Sequence, residues 1–499
     1  MAQNNNFFEK HIKQWLKQFR VTGNTVSLVD EGVISLTTLA VALKAERPVL
    51  IELPGYAMGE KVKAEMELWA KTLGIGKRIE ILPDGTSCGK KLAEAEIPRA
   101  TLLNTVLHAP PDILLASSAA VMSPAPPPEK MRSSELTLKK GMELPLGRLA
   151  EMLVEMDYDD EPEVTQPGEF SRRGGLIDIF SPAQNYPARI EYWGDTIDSI
   201  RQFTPETQSS VREISEYKLI MRSGSEEEGE SDGKSDFTDY VRLFQPMILR
   251  VFPEESRKSL ERFFDPPVLD KWEKLKRDPL WSNAVQLLDV AESAKLPPDS
   301  AMQCPVFPSS RHILHMVPQG AEENLSELVR QISSNLIRQL ADESYKISIA
   351  GRTEGDLLSL RDWLRNEGLD SLESIECIQA EVPCGIFLPD ENFALFSEYE
   401  LFSSPRRLLS HKTIVPEIED DTGEQVHDTI EEAVSADMEE GDYAVHINYG
   451  ICIYHGLKTI HEKDRSYEAL DLEFDNDSRV YVPIWQAHCV SRYIGSQKG

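Results

Sequence analysis

Across roughly the first 127 positions, short apolar runs such as Pro48-Val-Leu-Ile-Glu-Leu53 and Asp112-Ile-Leu-Leu-Ala116 alternate with helical stretches. This rhythm predicts an α/β layer with a parallel sheet. Pro124-Ala-Pro-Pro-Pro128 stiffens the chain and interrupts it, so a boundary is expected there. From 128 to 215 the pattern changes. Leu146, Leu149, Leu153 and Met156 fall at helical spacing and are followed by several strands and tight turns, a small α+β insert. Helical α/β material returns over 216–344 and is expected to pack back onto the first segment. A further small α/β unit occupies 345–408, opening on the strand Tyr345-Lys-Ile-Ser-Ile-Ala350 and a helix through Asp356 to Asn366. The final stretch, 441–499, alternates almost throughout, in Ala444 to Asn448, Ile451 to Tyr454, Leu470 to Phe474 and Val480 to Pro483. It predicts a small twisted β-barrel.

Two acidic stretches join these units. One is the Gly/Ser-rich loop 223–236; the other is the linker 409–440, within which Glu417 to Glu440 holds eleven acidic residues and no Lys or Arg. The whole chain has 53 Lys plus Arg against 84 Asp plus Glu, a net charge of -31, so its average surface repels phosphate and indiscriminate DNA binding is not expected. No apolar run has the length of a signal peptide or a bilayer span, which predicts a cytoplasmic protein without membrane contact. The six cysteines, Cys88, Cys304, Cys377, Cys384, Cys452 and Cys489, form no CxxC pair and read as reduced and structural.

The chemistry of a motor is missing. Gly55-Tyr-Ala-Met-Gly59-Glu-Lys61 follows a strand but has the wrong spacing for a phosphate cradle. Gly85-Thr-Ser-Cys-Gly89-Lys-Lys91 is one residue short and lacks the hydroxyl that would hold magnesium. Both read as turns, so no nucleotide site is expected. His446, Cys452, His455 and His461 crowd the last unit, but they are strung along strands with mixed facing and read as barrel residues rather than zinc ligands. No catalytic set can be assembled.

The insert carries more. Gly168-Glu-Phe-Ser-Arg-Arg-Gly-Gly-Leu-Ile-Asp-Ile-Phe180 reads as strand, turn, strand; Ala188-Arg-Ile-Glu-Tyr-Trp193 is another strand, closed by Gly194-Asp195. Alternation puts Arg189, Glu191 and Trp193 on one face. That face suits either a protein interface, where Arg and Trp are enriched, or a solvated sheet surface with Trp193 covering a local core.

GEFSRRGGLIDIFSP and PARIEYWGDTIDSIRQFTPETQSS resemble the UvrA-binding insert shared by UvrB and the transcription-repair coupling factor (Mfd) family, and the order of motifs is similar to that family over nearly the whole chain. The end, GDYAVHINYGICIYHGLKTI through YEALDLEFDNDSRVYVPIWQAHCVSRYIG, resembles its RNA-polymerase-interacting domain and CarD, although Tyr449 replaces a usual histidine and Cys452 a usual glycine. The resemblance implies a degenerate helicase-like α/β domain that has lost its phosphate loop, a UvrA-binding insert, a small α/β domain and a Tudor-like β-barrel. It implies docking of UvrA through Arg173, Arg189 and Trp193. It also implies addition of the strand around Leu457, Lys458, Thr459 and Ile460 to the RNA polymerase β subunit, with Ile460 as the apolar contact.

The family's ATP- and magnesium-dependent DNA translocase follows this barrel, so the chain is expected to be a non-enzymatic fragment that touches DNA mainly through the absent motor. Members also cover the UvrA-binding face with a C-terminal domain, so this chain is expected to bind UvrA without a release step. Two other readings are a UvrB-like excision-repair ATPase and a CarD-like transcription regulator. The first needs micromolar ATP binding; the second predicts indifference to UvrA.

Overall fold

The computed structural model describes residues 7–28, 31–87, 90–91, 93–222, 235–263, 266–297, 300–317, 325–402, 441, 443–446, 450–462, 465–474, 478–483 and 490–492. The two acidic stretches fall outside them, apart from residues 235 and 236 of the first. Two compact units are present, residues 1–413 and 414–499. Among the described residues no helix is long and apolar enough to cross a membrane.

The first unit is built on a seven-stranded parallel sheet in the order Met302–Gln303, Thr25–Ser27, Val285–Leu288, Met247–Val251, Val49–Leu53, Ile113–Ser117, Ile79–Leu82. Strands from 25–117 and from 247–303 thus share one sheet, as the returning apolar pattern predicts. The run Val49–Leu53 is apolar because both sheet faces are covered. Val49, Ile51 and Leu53 enter one core, and Leu50 enters the other with Leu114 and Ile248. Each such aliphatic side chain contributes about 1.5–3 kcal/mol by leaving water. Glu52 interrupts the run while fully buried, because Arg250 lies opposite it on the neighbouring strand and donates from Nε at 2.7 Å. The Arg250 guanidinium in turn lies 5.4 Å from the Trp272 ring.

The insert packs on the second of these cores. Its six-stranded sheet runs Ser210–Ile214, Thr196–Phe203, Ala188–Trp193, Leu176–Ile179, Glu169–Arg173, Asp159–Asp160. Strand Leu136–Lys139 pairs with Glu216–Leu219, so the insert runs past residue 215, where the sequence pattern had placed its end. The proline run is held in place rather than acting as a spacer. Ala125 N donates to Ser235 O at 3.0 Å, Tyr240 Oη donates to Pro126 O at 2.7 Å, and Pro128 opens the helix Pro128–Ser133.

A second sheet, Phe307–Pro308, Ile386–Leu388, Phe393–Ser397, Lys346–Gly351, Ile375–Gln379, corrects the expected boundary at 344/345. This region begins near 307, since helices Ser309–His315 and Leu325–Asp342 cover that sheet through Ile313, Val329, Leu336, Ile337 and Leu340. An amphipathic helix declares an apolar stripe but not which sheet will cover it. The N-terminal helix Phe7–Gln18 makes the same point. Its first N–H groups, on Phe7 and Phe8, donate to the Glu376 carboxylate at 3.1 and 2.9 Å, so its cap comes from a distant strand.

The second unit is a five-stranded antiparallel sheet in the order Ser478–Pro483, Arg465–Phe474, Gly450–Glu462, Tyr443–His446, Val490–Arg492. Ala444, Cys452, Tyr454, Leu470 and Leu472 form its core. Among the described residues no pairing closes its two outer strands into a barrel.

Candidate functional site

The insert sheet brings Arg173 and Arg189 to one face. Antiparallel register aligns Ser171, Asp178, Arg189 and Arg201 in one row, and Arg173, Leu176, Glu191 and Ser199 in the next, two residues along each strand. Residues in such rows share a side of the sheet. Phe170, Ile177, Ile190 and Ile200 occupy the other side and are buried.

Trp193 stands at the end of its strand opposite Thr196, across the turn at Gly194 and Asp195. Gly194 adopts φ +61°, the left-handed conformation that two-residue hairpin loops use and that a side chain disfavours. The register shift between Glu191 and Tyr192 places the extra residue, Asp198, on the partner strand, so alternation along Ala188–Trp193 continues to the turn. Tyr192 then packs against the core, whereas Trp193 is 83% exposed. It therefore does not cover a local core.

The two arginines differ. Arg173 is exposed and donates from Nη2 to Pro162 O at 2.6 Å. Arg189 grips the buried Asp178 with Nε and Nη2, both at 2.8 Å, and lies 4.9 Å from the Phe203 ring centroid. The Asp178 hydrogen bonds hold the Arg189 guanidinium above its ordinary range. Arg189 therefore presents one partly exposed edge, with the rest of its fork engaged. Sequence reasoning missed Arg201, which lies directly opposite Arg189 and reaches Glu191 at 3.4 Å. The acidic residue between two isoleucines at 177–179 was the available signal for the Asp178 clasp.

In the second unit, Gly450–Glu462 is one long strand bent by an extra residue between Tyr454 and Leu457, where Gly456 takes φ +94°. Tyr443–His446 pairs only with 450–453, whereas Arg465–Phe474 continues alongside as far as Glu462. Among the described residues no strand covers the other edge of Leu457–Glu462. Leu457 is half-buried against the core; Lys458 is exposed and donates to Tyr481 Oη at 3.1 Å. Thr459 and Ile460 are placed by their backbone, opposite Glu468 and Tyr467. Their side chains lie outside the described residues.

The phosphate-loop lookalikes have other roles. Gly55 caps the helix Tyr56–Leu73, and Gly59 sits inside that helix, where a Cβ would come within 2.8 Å of Ile81 Cδ1. Thr86–Ser87 pairs with Lys90–Lys91 in a short hairpin, with Cys88 and Gly89 outside the described residues. Beside it, at the carboxyl ends of the sheet strands where α/β folds bind ligands, Arg99 fills the space. It donates to Pro83 O, Ala120 O and Ser123 O at 2.7, 3.0 and 3.3 Å, and burial pulls its guanidinium down to about 10.

No group of three or more His, Cys, Asp or Glu side chains suited to a metal ion occurs among the described residues. Cys452 is interior, and His455 Nε2 lies 2.8 Å from Glu473 Oε2; the side chains of His446 and His461 lie outside the described residues. Cys304, Cys377, Cys384 and Cys452 form no disulfide, and Cys489 lies outside the described residues.

Residues 136–223 match the UvrB interaction domain family, and residues 438–494 match the CarD-like/TRCF RID domain family. The chain resembles the N-terminal region of transcription-repair coupling factors. It is 23% identical to the coupling factor of Bacillus subtilis over 93% of this chain and 44% of that protein. For the coupling factor of Haemophilus influenzae the values are 24%, 80% and 39%, and for that of Staphylococcus aureus 22%, 74% and 36%. The chain thus spans about two fifths of the length of these coupling factors.

Proposed function

We propose that this chain is an adaptor in transcription-coupled nucleotide excision repair, joining the RNA polymerase β subunit to UvrA. The insert face would receive UvrA. Trp193 supplies a large apolar anchor already free of its own core, Arg173 an exposed cation on the same insert sheet, and Arg189 an edge held in position by Asp178. Aromatic and arginine side chains of this kind dominate binding energy at protein interfaces. In the second unit, the open edge of Leu457–Glu462 offers unpaired main-chain groups to a strand of the polymerase, with Ile460 as the apolar contact. Closure of that sheet into a Tudor-like barrel belongs to the same reading.

The observation that carries this reading is the 83% exposure of Trp193 at the tip of the matched insert. A single exposed apolar side chain is common on protein surfaces, so the weight comes from an exposed tryptophan lying within the matched domain, tryptophan being enriched at binding hot spots. The chain itself would bind without hydrolysing ATP, since its sheet-end crevice holds Arg99 in place of a phosphate cradle. Titrating UvrA into the chain by calorimetry tests the insert: binding that Trp193→Ala abolishes supports it, and binding indifferent to Trp193→Ala and Arg173→Ala overturns it.

A further inference from the structure

Helix Phe7–Gln18 buries Phe8, Ile12, Trp15 and Leu16 and turns Lys10, Lys13, Gln14 and Lys17 to solvent, three cations at i, i+3 and i+7 on one face. The stripe continues past the end of the helix. Arg20 Nη1 and Lys44 Nζ both donate to Lys17 O, at 2.7 and 2.9 Å, so two more exposed cations meet at one carbonyl. Burial, then the charge on Arg20, holds the Lys44 ammonium below its ordinary range.

Carboxylates do not balance this face. Between residues 7 and 20 the sequence holds one, Glu9, which lies 3.2 Å from Lys13. Lys10, Lys17, Arg20 and Lys44 make no ion pair among the described residues, and Glu46 makes none with its neighbour Lys44. Two carboxylates from elsewhere in the fold reach other parts of the helix: Glu376 accepts from Phe7 N and Phe8 N, and Glu391 lies 3.9 Å from His11. Helix stability does not call for the stripe either. Lys10 is the fourth helical residue, at the end where the helix dipole disfavours a cation, and Lys13 with Lys17 is a like-charge pair at i, i+4. Only Arg20 and Lys44 stand at the end that the dipole favours. In a chain of net charge -31, five exposed cations around one carboxylate point to an external anion.

We propose that this face binds the phosphate backbone of duplex DNA, without reading its sequence. The class of anion follows from what the face lacks. Phe8, Trp15 and Phe19 are buried, so no aromatic ring is offered for unpaired bases to stack on. The apolar side of the helix lies in the core and is closed to a lipid surface. The three lysines are point charges without the planar fork that selects carboxylates. From Lys10 to Lys17 the helix rises roughly 10 Å, a length over which duplex DNA carries about six charges. The chain as a whole repels phosphate, so the contact is weak, local and sensitive to salt. It involves neither the insert nor the second unit and needs neither assignment made for them.

The test uses the whole chain and a fluorescent duplex of about 20 base pairs, followed by anisotropy between about 50 and 200 mM salt. Log affinity should fall against log salt with a slope of about -4, as for four or five phosphate contacts. Lys10→Gln/Lys17→Gln should make that slope shallower by about 2 and lower affinity about tenfold at the lower salt. Its melting temperature should hold or rise, because like charges are relieved. Lys139→Ala/Lys140→Ala, whose lysines pair with Glu216 and Glu213 at 3.6 and 2.9 Å, should leave slope and affinity unchanged. A single strand of the same length and poly-glutamate should each bind about tenfold more weakly or worse. No binding at the lower salt, or a slope that the Lys10/Lys17 variant leaves unchanged, would overturn the proposal. A lowered melting temperature in that variant would assign the lysines to the fold and contradict it too. Equal binding of poly-glutamate would overturn it in favour of an acidic protein segment, and equal binding of the single strand would exclude the duplex.

Discussion

Arg189 and Asp178 face each other across adjacent strands, and both carboxylate oxygens accept from the one guanidinium at 2.8 Å. Asp178 is 1% exposed, so this clasp holds a charge that would otherwise sit in the sheet without compensation. Arg189→Ala should therefore lower stability by about 3–5 kcal/mol, the range for breaking a buried pair from one side. Urea unfolding measures it, and a loss below about 1 kcal/mol would mean that Asp178 finds solvent or another partner.

Trp193→Ala should separate binding from folding. With 83% of the indole in water, its removal leaves stability within about 0.5 kcal/mol, while the affinity for UvrA falls by about 2 kcal/mol or more, roughly thirtyfold. Arg173→Ala should act in the same sense and more weakly. Arg189→Ala will mix lost contact with lost stability, so it is the poorer probe of the surface.

The crevice at the strand ends predicts indifference to nucleotide. ATP with magnesium should leave the melting temperature unchanged, since a ligand stabilises only a fold that binds it. Gly59→Ala should leave stability within about 1 kcal/mol, because its new methyl group meets only the movable Cδ1 end of Ile81 while alanine favours the helix. A rise in melting temperature with ATP that Gly59→Ala removes would restore the phosphate-loop reading.

Glu292 predicts a pH dependence. It is buried, one oxygen accepts from Glu254 N at 3.1 Å and the other has no partner among the described residues. Burial first, then Asp289, pushes its carboxyl up from 4.5 to about 7. Between those two values the folded chain holds the proton that the unfolded chain has lost, so stability falls as pH rises through this window. Glu292→Gln keeps an acceptor for Glu254 N and removes the charge. Its melting temperature should exceed that of the unsubstituted chain at pH 8 and match it near pH 4.5. A difference of the same size at both pH values would contradict the assignment.

Local pattern made the strands legible. Val49–Leu53, Ile113–Ser117 and Glu169–Trp193 with its two hairpins stand where apolar runs and Gly-containing turns put them. Three things were not legible, each set by tertiary partners. Helix Leu325–Asp342 displays an apolar stripe that either sheet could cover. The N-terminal helix takes its cap from Glu376, which no nearby residue announces. In the insert, alternation grouped Arg189 with Glu191 and Trp193 and Arg173 entered only through resemblance, while the Asp178 clasp, which decides how Arg189 is presented, depends on the cross-strand register. The open strand edge at 457–462 was legible only through resemblance, because unpaired main-chain groups leave no trace in side-chain periodicity.

Co-capture tests the two-surface arrangement most directly. With RNA polymerase immobilised, UvrA should be retained only when this chain is added. Trp193→Ala should lose UvrA while keeping the chain on polymerase, and Ile460→Asp should lose both. Retention of UvrA by the Trp193→Ala chain, or of the Ile460→Asp chain by polymerase at undiminished level, would contradict it.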